Sequence, residues 1–359
     1  MVLMNMGKRT VSVLLILIST LAMIFTSLIA TPVKTQAATP ITIVIDPGHG
    51  GVGEKNLGAQ YNGFSEKDLT MQLAIALKAE LEKYDNVTVL LTRTSDTILS
   101  LDSRAEYAKN VGADFVFSIH FNASEGHEFY GSEVWTSTFG NYYQRGMDFG
   151  RIVSAEWNKL GLYQKGVKTR IGNKGQDYYG IIRGCVNRGV PCVILEHAYL
   201  DHDYDVAILR TGGFINKLAV SDATAIAKYY NLKSTATGAD YSGYTYEHAA
   251  KPYGRLYQDE TGPETCNIKV LAQDQASGNI LIEMTTHDSQ SPVIYFSYSY
   301  DGGKTFSILQ MWDRTKDTQS FNIKVPSGTA NPVIVCRAYN NYEKMSESAS
   351  VQVSGSFNY

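Results

Sequence analysis

Four residues stand where a chain rarely places ionisable groups without a use for them. His49 follows the apolar stretch Ile41–Ile45 and sits in the turn Asp46-Pro47-Gly48-His49-Gly50-Gly51. His120 ends "FVFSIHFNA" and Glu196 ends "VILEHAY", both apolar runs of strand type. Glu66 lies 17 residues after His49, in the first turn of an amphipathic helical pattern. Sites in open α/β sheets form at the carboxyl ends of strands, and a carboxylate directly after Val-Ile-Leu is costly to bury without a partner. Two histidines and one glutamate make a recurrent catalytic zinc set that leaves a fourth position for water. Such a metal lowers the pKa of water and stabilises a developing oxyanion, and a second carboxylate nearby serves as general base and then proton donor. His49, Glu66 and His120 can fill the first role and Glu196 the second. Each has a plainer reading: His49 as a turn residue, His120 as a satisfied core histidine, Glu66 as a first-turn carboxylate favouring the helix dipole by roughly 0.3–1 kcal/mol, and Glu196 as structural.

These residues need a sheet to hold them. From Ile41 to about Leu232, short continuous apolar strands alternate with helices. That pattern predicts an α/β domain with helices on both faces of its sheet. "SEKDLTMQLAIALKAELEKY" reads as a helix with Ser65 as its N-cap and Asp68 three residues on, a capping-box variant. Leu69, Leu73, Ala76, Leu77 and Leu81 form its apolar face. "SLDSRAEYAKNVGA" reads as a helix capped near Ser100 or Asp102 and closed by Gly112. The 136–160 stretch reads as one helix. Residues 233–255 lose this periodicity, are rich in Ser, Thr, Gly and Tyr, and read as a linker. Residues 256–359 show short strands with Asp-Gly and Asn-Asn turns, which predicts a small all-β sandwich. The expected organisation is therefore 1–38 targeting segment, 39–232 catalytic domain, 233–255 linker and 256–359 accessory domain.

The 359 residues carry a net charge of -3. The only charges before Ala38 are Lys8, Arg9 and Lys34, so removing that segment leaves 29 basic against 35 acidic residues. This acidic balance gives no support to nucleic-acid binding. Lys8-Arg9, the apolar run Val11–Ala30 and small residues ending at Ala37 have the form of a secretory signal peptide. The run has 20 residues, enough for an uncleaved anchor, which is the one route to stable membrane association. Either way the body of the protein is expected outside the cytoplasm, where disulfides are permitted. Cys185, Cys192, Cys266 and Cys336 fall two to each half, so bridges would be intradomain. Buried free thiols fit their apolar flanks as well.

Five separated motifs carry a resemblance. "IVIDPGHGG", "FSEKDLTMQLA", "LTRTSD", "LDSRAEYA…GADFVFSIHFNA" and "VPCVILEHAYLDHDYD", in that order over roughly residues 41–232, resemble the zinc-dependent N-acetylmuramoyl-L-alanine amidases of the amidase-3 type, bacterial wall hydrolases that include autolysins. The resemblance implies a mixed central sheet and Zn2+ held by His49, Glu66 and His120, with Glu196 as catalytic carboxylate. It implies cleavage of the amide between the lactyl group of N-acetylmuramic acid and L-alanine of the stem peptide. It also implies bacterial peptidoglycan as partner, a secreted or wall location and a monomer. The chain departs from the family after the catalytic glutamate. His197, Ala198, Tyr199, Leu200 and Asp201-His202 stand where many members have Gly-Phe and a Ser-Asn pair. Asn122, two residues beyond His120, shares its face and is a candidate substrate contact, as is Arg183. Arg93 and Arg104 read as structural ion pairs. His197 should point away from Glu196 by strand alternation. Most of Tyr130, Trp135, Phe139, Tyr142, Tyr143, Tyr178 and Tyr179 read as core packing. "SYDGGKTF" resembles an Asp-box, which implies a hairpin held by Asp301 without catalysis.

The alternatives to an amidase are a zinc peptidase acting within the stem peptide, or a wall-binding protein on an amidase scaffold.

Overall fold

The computed structural model describes residues 40–52 and 56–359. The targeting segment expected at 1–38 lies outside the described residues. Among those described, no helix is long and apolar enough to cross a membrane.

Six strands build the central sheet: β1 (Ile41–Pro47), β2 (Val87–Leu91), β3 (Phe115–Asn122), β4 (Ser132–Thr136), β5 (Gln164–Thr169) and β6 (Cys192–Tyr199), in the order β2-β1-β3-β6-β4-β5. All neighbours run parallel except β6 and β4, so the sheet is mixed, as the resemblance implied. β4 ("SEVWT") and β5 ("QKGVKT") are absent from the sequence reading because their charged residues hide the apolar signal of a buried strand.

Helices cover both faces. α1 (Glu66–Leu81), α3 (Gly140–Asn158) and α6 (Phe214–Tyr229) pack on one side, with Leu73, Leu77, Phe149, Trp157, Leu218 and Ile226 fully or almost fully buried against Ile43, Phe117 and Leu195. α2 (Leu101–Asn110) and the short α4 (Gly180–Val186) cover the other face through Ala105, Ala108 and Ile181. α5 (Asp203–Leu209) follows β6.

The two expected caps turn out differently. Ser100 caps α2, its hydroxyl accepting from Ser103 N at 3.0 Å. Ser65 makes no side-chain cap on α1. A tight pairing of Gln60–Tyr61 with Phe64–Ser65 folds the preceding loop over the helix start. Glu66 N and Lys67 N then donate to the carbonyls of Ala59 and Leu57, so main chain satisfies groups that a side-chain cap would otherwise serve.

Residues 233–255 lie along the helical layer. Tyr246 stacks on Tyr229, Ala249 N donates to Asp148, and Ser234 bonds Lys83 O. The C-terminal half is all β. One sheet orders β10 (Thr318–Lys324), β8 (Asn279–His287) and β7 (Thr265–Asp274). The other joins β9 (Val293–Ser299), β11 (Val333–Asn340) and β12 (Met345–Glu347). Ile280, Ile282 and Met284 of the first sheet meet Phe296, Ile334 and Ala338 of the second in one core. Asp301 accepts from Ser299, Lys304 N and Thr305 N, holding the "SYDGGKTF" turn. The cysteines are free thiols. Cys185 and Cys192 share one core, and Cys266 Sγ lies 3.6 Å from Cys336 O in another.

The two halves share a seam. Tyr130, Phe129 and Tyr199 of the α/β half pack with Ile294, Tyr295, Leu309 and Tyr339 of the other. Tyr295 donates to Tyr130 O, and Tyr163 to Ile294 O at 2.5 Å.

Candidate functional site

The turn after β1 is held by two arginines. Arg93 Nε donates to Pro47 O at 3.0 Å and its Nη2 to Gly48 O at 2.9 Å. Arg104 pairs with buried Asp46 at 2.8 Å and donates to Pro47 O and His49 O. Burial would raise the Asp46 pKa, but the Arg104 charge with bonds from Thr92 and Ser118 holds it below its ordinary value. Arg104 keeps the ion-pair role read from sequence, Arg93 forms no ion pair among the described residues, and both fix backbone. They hold His49 at φ 58°, a left-handed conformation that a non-glycine residue keeps only when its surroundings demand it.

So held, His49 meets Glu66 and His120. His49 Nε2 lies 3.1 Å from Glu66 Oε1, and His120 Nδ1 lies 3.0 Å from the same oxygen. Glu66 is 4% exposed. Phe121 N donates to its Oε1 and Ala59 N to its Oε2. Burial pushes its pKa up, while the two imidazoles hold it at about 2. One ligand atom from each of the three residues lies within 4.8 Å of the others, the only such group among the described residues. The donor set fits a zinc ion: two imidazoles and one carboxylate, each reachable by a single atom, with both rings partly open to solvent. The cradle is also tight. A Cβ on Gly48 would come 2.3 Å from His120 Cε1, and one on Gly58 would come 2.3 Å from Glu66 Oε2.

Glu196 pairs in register with His120 across β3 and β6. It lines the same cavity of about 620 Å³ as His49, Glu66 and His120. Its Oε2 is buried and has no hydrogen-bond partner among the described residues. Burial first, then the carboxylates of Glu66 and Glu133, pushes its pKa well above the ordinary value. A carboxyl so placed and without a partner is suited to exchanging a proton.

His197 does turn away, as alternation requires. It is wholly buried, with Nδ1 3.1 Å from His120 O and Nε2 3.0 Å from Asp222, whose other oxygen accepts from Trp157. It thus braces the His120 main chain. Asn122 lines the cavity and donates to Glu133 at 3.1 Å. Arg183 does not join the site. Its guanidinium donates to Asp177 O and Tyr178 O, and it lines no cavity with Glu196. The reason is positional: α4 carries Arg183 on the outer face of that layer, where the preceding loop's carbonyls satisfy it. Of the aromatics between β3 and β6 named above, Trp135 and Tyr179 line a cavity with Glu196, and Tyr130 serves the seam.

Sequence reasoning missed a second cluster beside Glu196. Glu133 of β4 stands opposite Glu196 and is 2% exposed. Lys168 donates to it at 2.6 Å, and Lys165 lies 3.4 Å away. Lys165 also pairs with Glu343 from the C-terminal half, to which Tyr199 donates at 2.9 Å. Burial works against the Glu343 charge, but Lys165 and Lys168 hold its pKa at about 2. The one signal for this cluster was charge inside otherwise strand-like segments.

The sequence model described as N-acetylmuramoyl-L-alanine amidase (Amidase_3) matches residues 43–228. The chain is 33% identical over 202 residues to the N-acetylmuramoyl-L-alanine amidase CwlM of Bacillus licheniformis, covering 55% of this chain and 71% of that protein. It is 32% identical over 211 residues to the sporulation-specific N-acetylmuramoyl-L-alanine amidase of Bacillus subtilis, covering 56% and 72%. Among solved structures it is similar to the catalytic domain of the amidase CwlV from Bacillus (Paenibacillus) polymyxa var. colistinus, at 28% identity, a TM-score of 0.45, and 54% and 99% coverage. The chain belongs to the N-acetylmuramoyl-L-alanine amidase family.

Proposed function

We propose that this chain hydrolyses the amide between the lactyl group of N-acetylmuramic acid and L-alanine of the stem peptide in bacterial peptidoglycan. One observation carries the reading: His49, Glu66 and His120 converge in the same cavity that exposes the partnerless Glu196 carboxyl. His49, Glu66 and His120 would hold zinc, which when bound supplies a Lewis acid that acidifies water and polarises a carbonyl. Glu196 takes the proton of the attacking water as the water adds to the carbonyl carbon. It then returns that proton to the nitrogen of alanine as the C–N bond breaks. Asn122, tied to Glu133, presents its side chain at the cavity wall and orients the substrate. The protein works as a secreted monomer at the wall, after loss of its N-terminal segment. Its catalytic part spans 39–232 and its accessory part 256–359.

The test is incubation with purified peptidoglycan, with zinc and with a chelator, followed by mass spectrometry of the released ends. Zinc-dependent release of peptides with free N-terminal L-alanine is expected. Ends created inside the stem would move the bond to a peptidase, and no release from metal-loaded protein would reject the enzyme.

A further inference from the structure

A second cavity, about 830 Å³, opens from the site. It shares Asn122, Ala123 and Glu196 with the cavity around the histidines, so the two are arms of one channel that meet at Glu196. Its far wall comes from the other half of the chain: Gln258–Glu260 and the turn Tyr342–Lys344 between β11 and β12. That wall is fixed. Tyr342 Oη lies 3.1 Å from both Thr169 N and Thr169 O, Lys168 Nζ donates to Asn341 O at 2.9 Å, and Gln258 accepts from Ile171 N at 2.8 Å. Glu343 is locked onto buried Lys165 behind it.

One rim is acidic and the other is mixed, with Asp259 and Glu260 beside its two cations. Glu125 and Glu128 are exposed on one side. Arg170 and Lys344 line the other. Arg170 forms no ion pair among the described residues, its guanidinium resting 3.8 Å from the centre of the Tyr178 ring. Lys344 has only Glu260, 3.1 Å away, in a pair that is half exposed on both sides. Such a pair is weak and exchangeable.

A substrate cut at Glu196 has two arms of different chemistry. The glycan arm is uncharged once its lactyl carboxyl is an amide. The peptide arm carries free carboxylates and an amino group. We propose that the groove between the two halves is the peptide subsite, with Arg170 and Lys344 receiving a carboxylate of the stem. The inference rests on the amidase reading for the position of the cut. It makes the C-terminal half part of the site, selecting among stems by charge. Tyr199, one of the departures from the family after Glu196, lines this groove and bonds Glu343, so that departure belongs to the same construction.

The experiment is calorimetric titration of the full chain with a free stem tetrapeptide headed by L-alanine, against the same peptide with its carboxylates amidated. The wild type should prefer the carboxylate form by about tenfold or more, in keeping with charge-assisted bonds being the strong ones. Arg170→Met with Lys344→Met should abolish that preference, and each single change should reduce it. Lys269→Met, at an exposed residue of β7 that lines neither cavity, should retain it. Thermal melts verify that each variant is folded. A wild type without preference, or a double variant that keeps it, overturns the subsite. The two readings fail separately. Peptide preference without release of L-alanine ends leaves the groove and removes the bond assignment, while release without preference does the reverse.

Discussion

Two clusters of charge flank Glu196, and they are built on opposite principles. On one side Glu66 faces two imidazoles that stay partly open to solvent. On the other side Glu133 and Glu343 face Lys165 and Lys168, with both lysines and Glu133 buried. The first sets one carboxylate against two imidazoles and contains no lysine or arginine. The second balances its charges internally and is sealed by the C-terminal half. The contrast shows how to separate a site from a brace where both are acidic and buried: count the cations that the chain itself provides.

The sharpest break is at the first cluster and its neighbour. Glu196→Gln should retain zinc by elemental analysis while amide release falls by about 10²–10⁴-fold. His49→Ala and His120→Ala should lose metal and activity together. Full metal content in either would remove that residue from the ligand set.

The second cluster should answer through stability. Glu343→Gln leaves Lys165 underpaired in the seam, and breaking a buried pair from one side costs about 3 kcal/mol, read as a lower denaturant midpoint. Lys165→Met with Glu343→Leu should recover much of that loss, because an apolar pair of similar volume avoids the desolvation cost. If the double change is as unstable as the single one, the cluster is more than a charge brace.

A smaller effect links the two. Glu196 must be ionised to accept a proton, so the rate should rise with pH through its elevated pKa. Glu133→Gln removes one of the negative charges that raise it. The acid limb of the pH–rate profile should then shift to lower pH, and a shift to higher pH would contradict the assignment. As a baseline, Asp102→Ala removes an exposed partner of Arg188 and should change stability by less than about 1 kcal/mol.

The same contrast explains what the sequence made legible. His49, His120 and Glu196 were readable because each ends an apolar strand, where an ionisable group stands out. Glu66 was readable from the helix pattern that begins with it. β4 and β5 were not, because Glu133, Lys165 and Lys168 look like surface residues until their partners are known, and Glu343 lies 178 residues from Lys165. No local pattern reports a pairing over that distance. Arg183 misled for the converse reason: a cation near the site in sequence found local carbonyls first. The expected Ser65 cap failed because a hairpin of only a few residues delivered main-chain carbonyls instead.

The seam between the halves has a consequence for how the protein could engage a polymer. Two modules on a slack tether grip two points independently, with an effective concentration set by tether length. Here the β sheets are bolted to the α/β half by Tyr130, Tyr163, Tyr295 and the Glu343 pair, so they gain no such avidity. On the proposed reading they would contribute preorganisation: both surfaces would meet one strand in a single orientation, its direction set before it arrives.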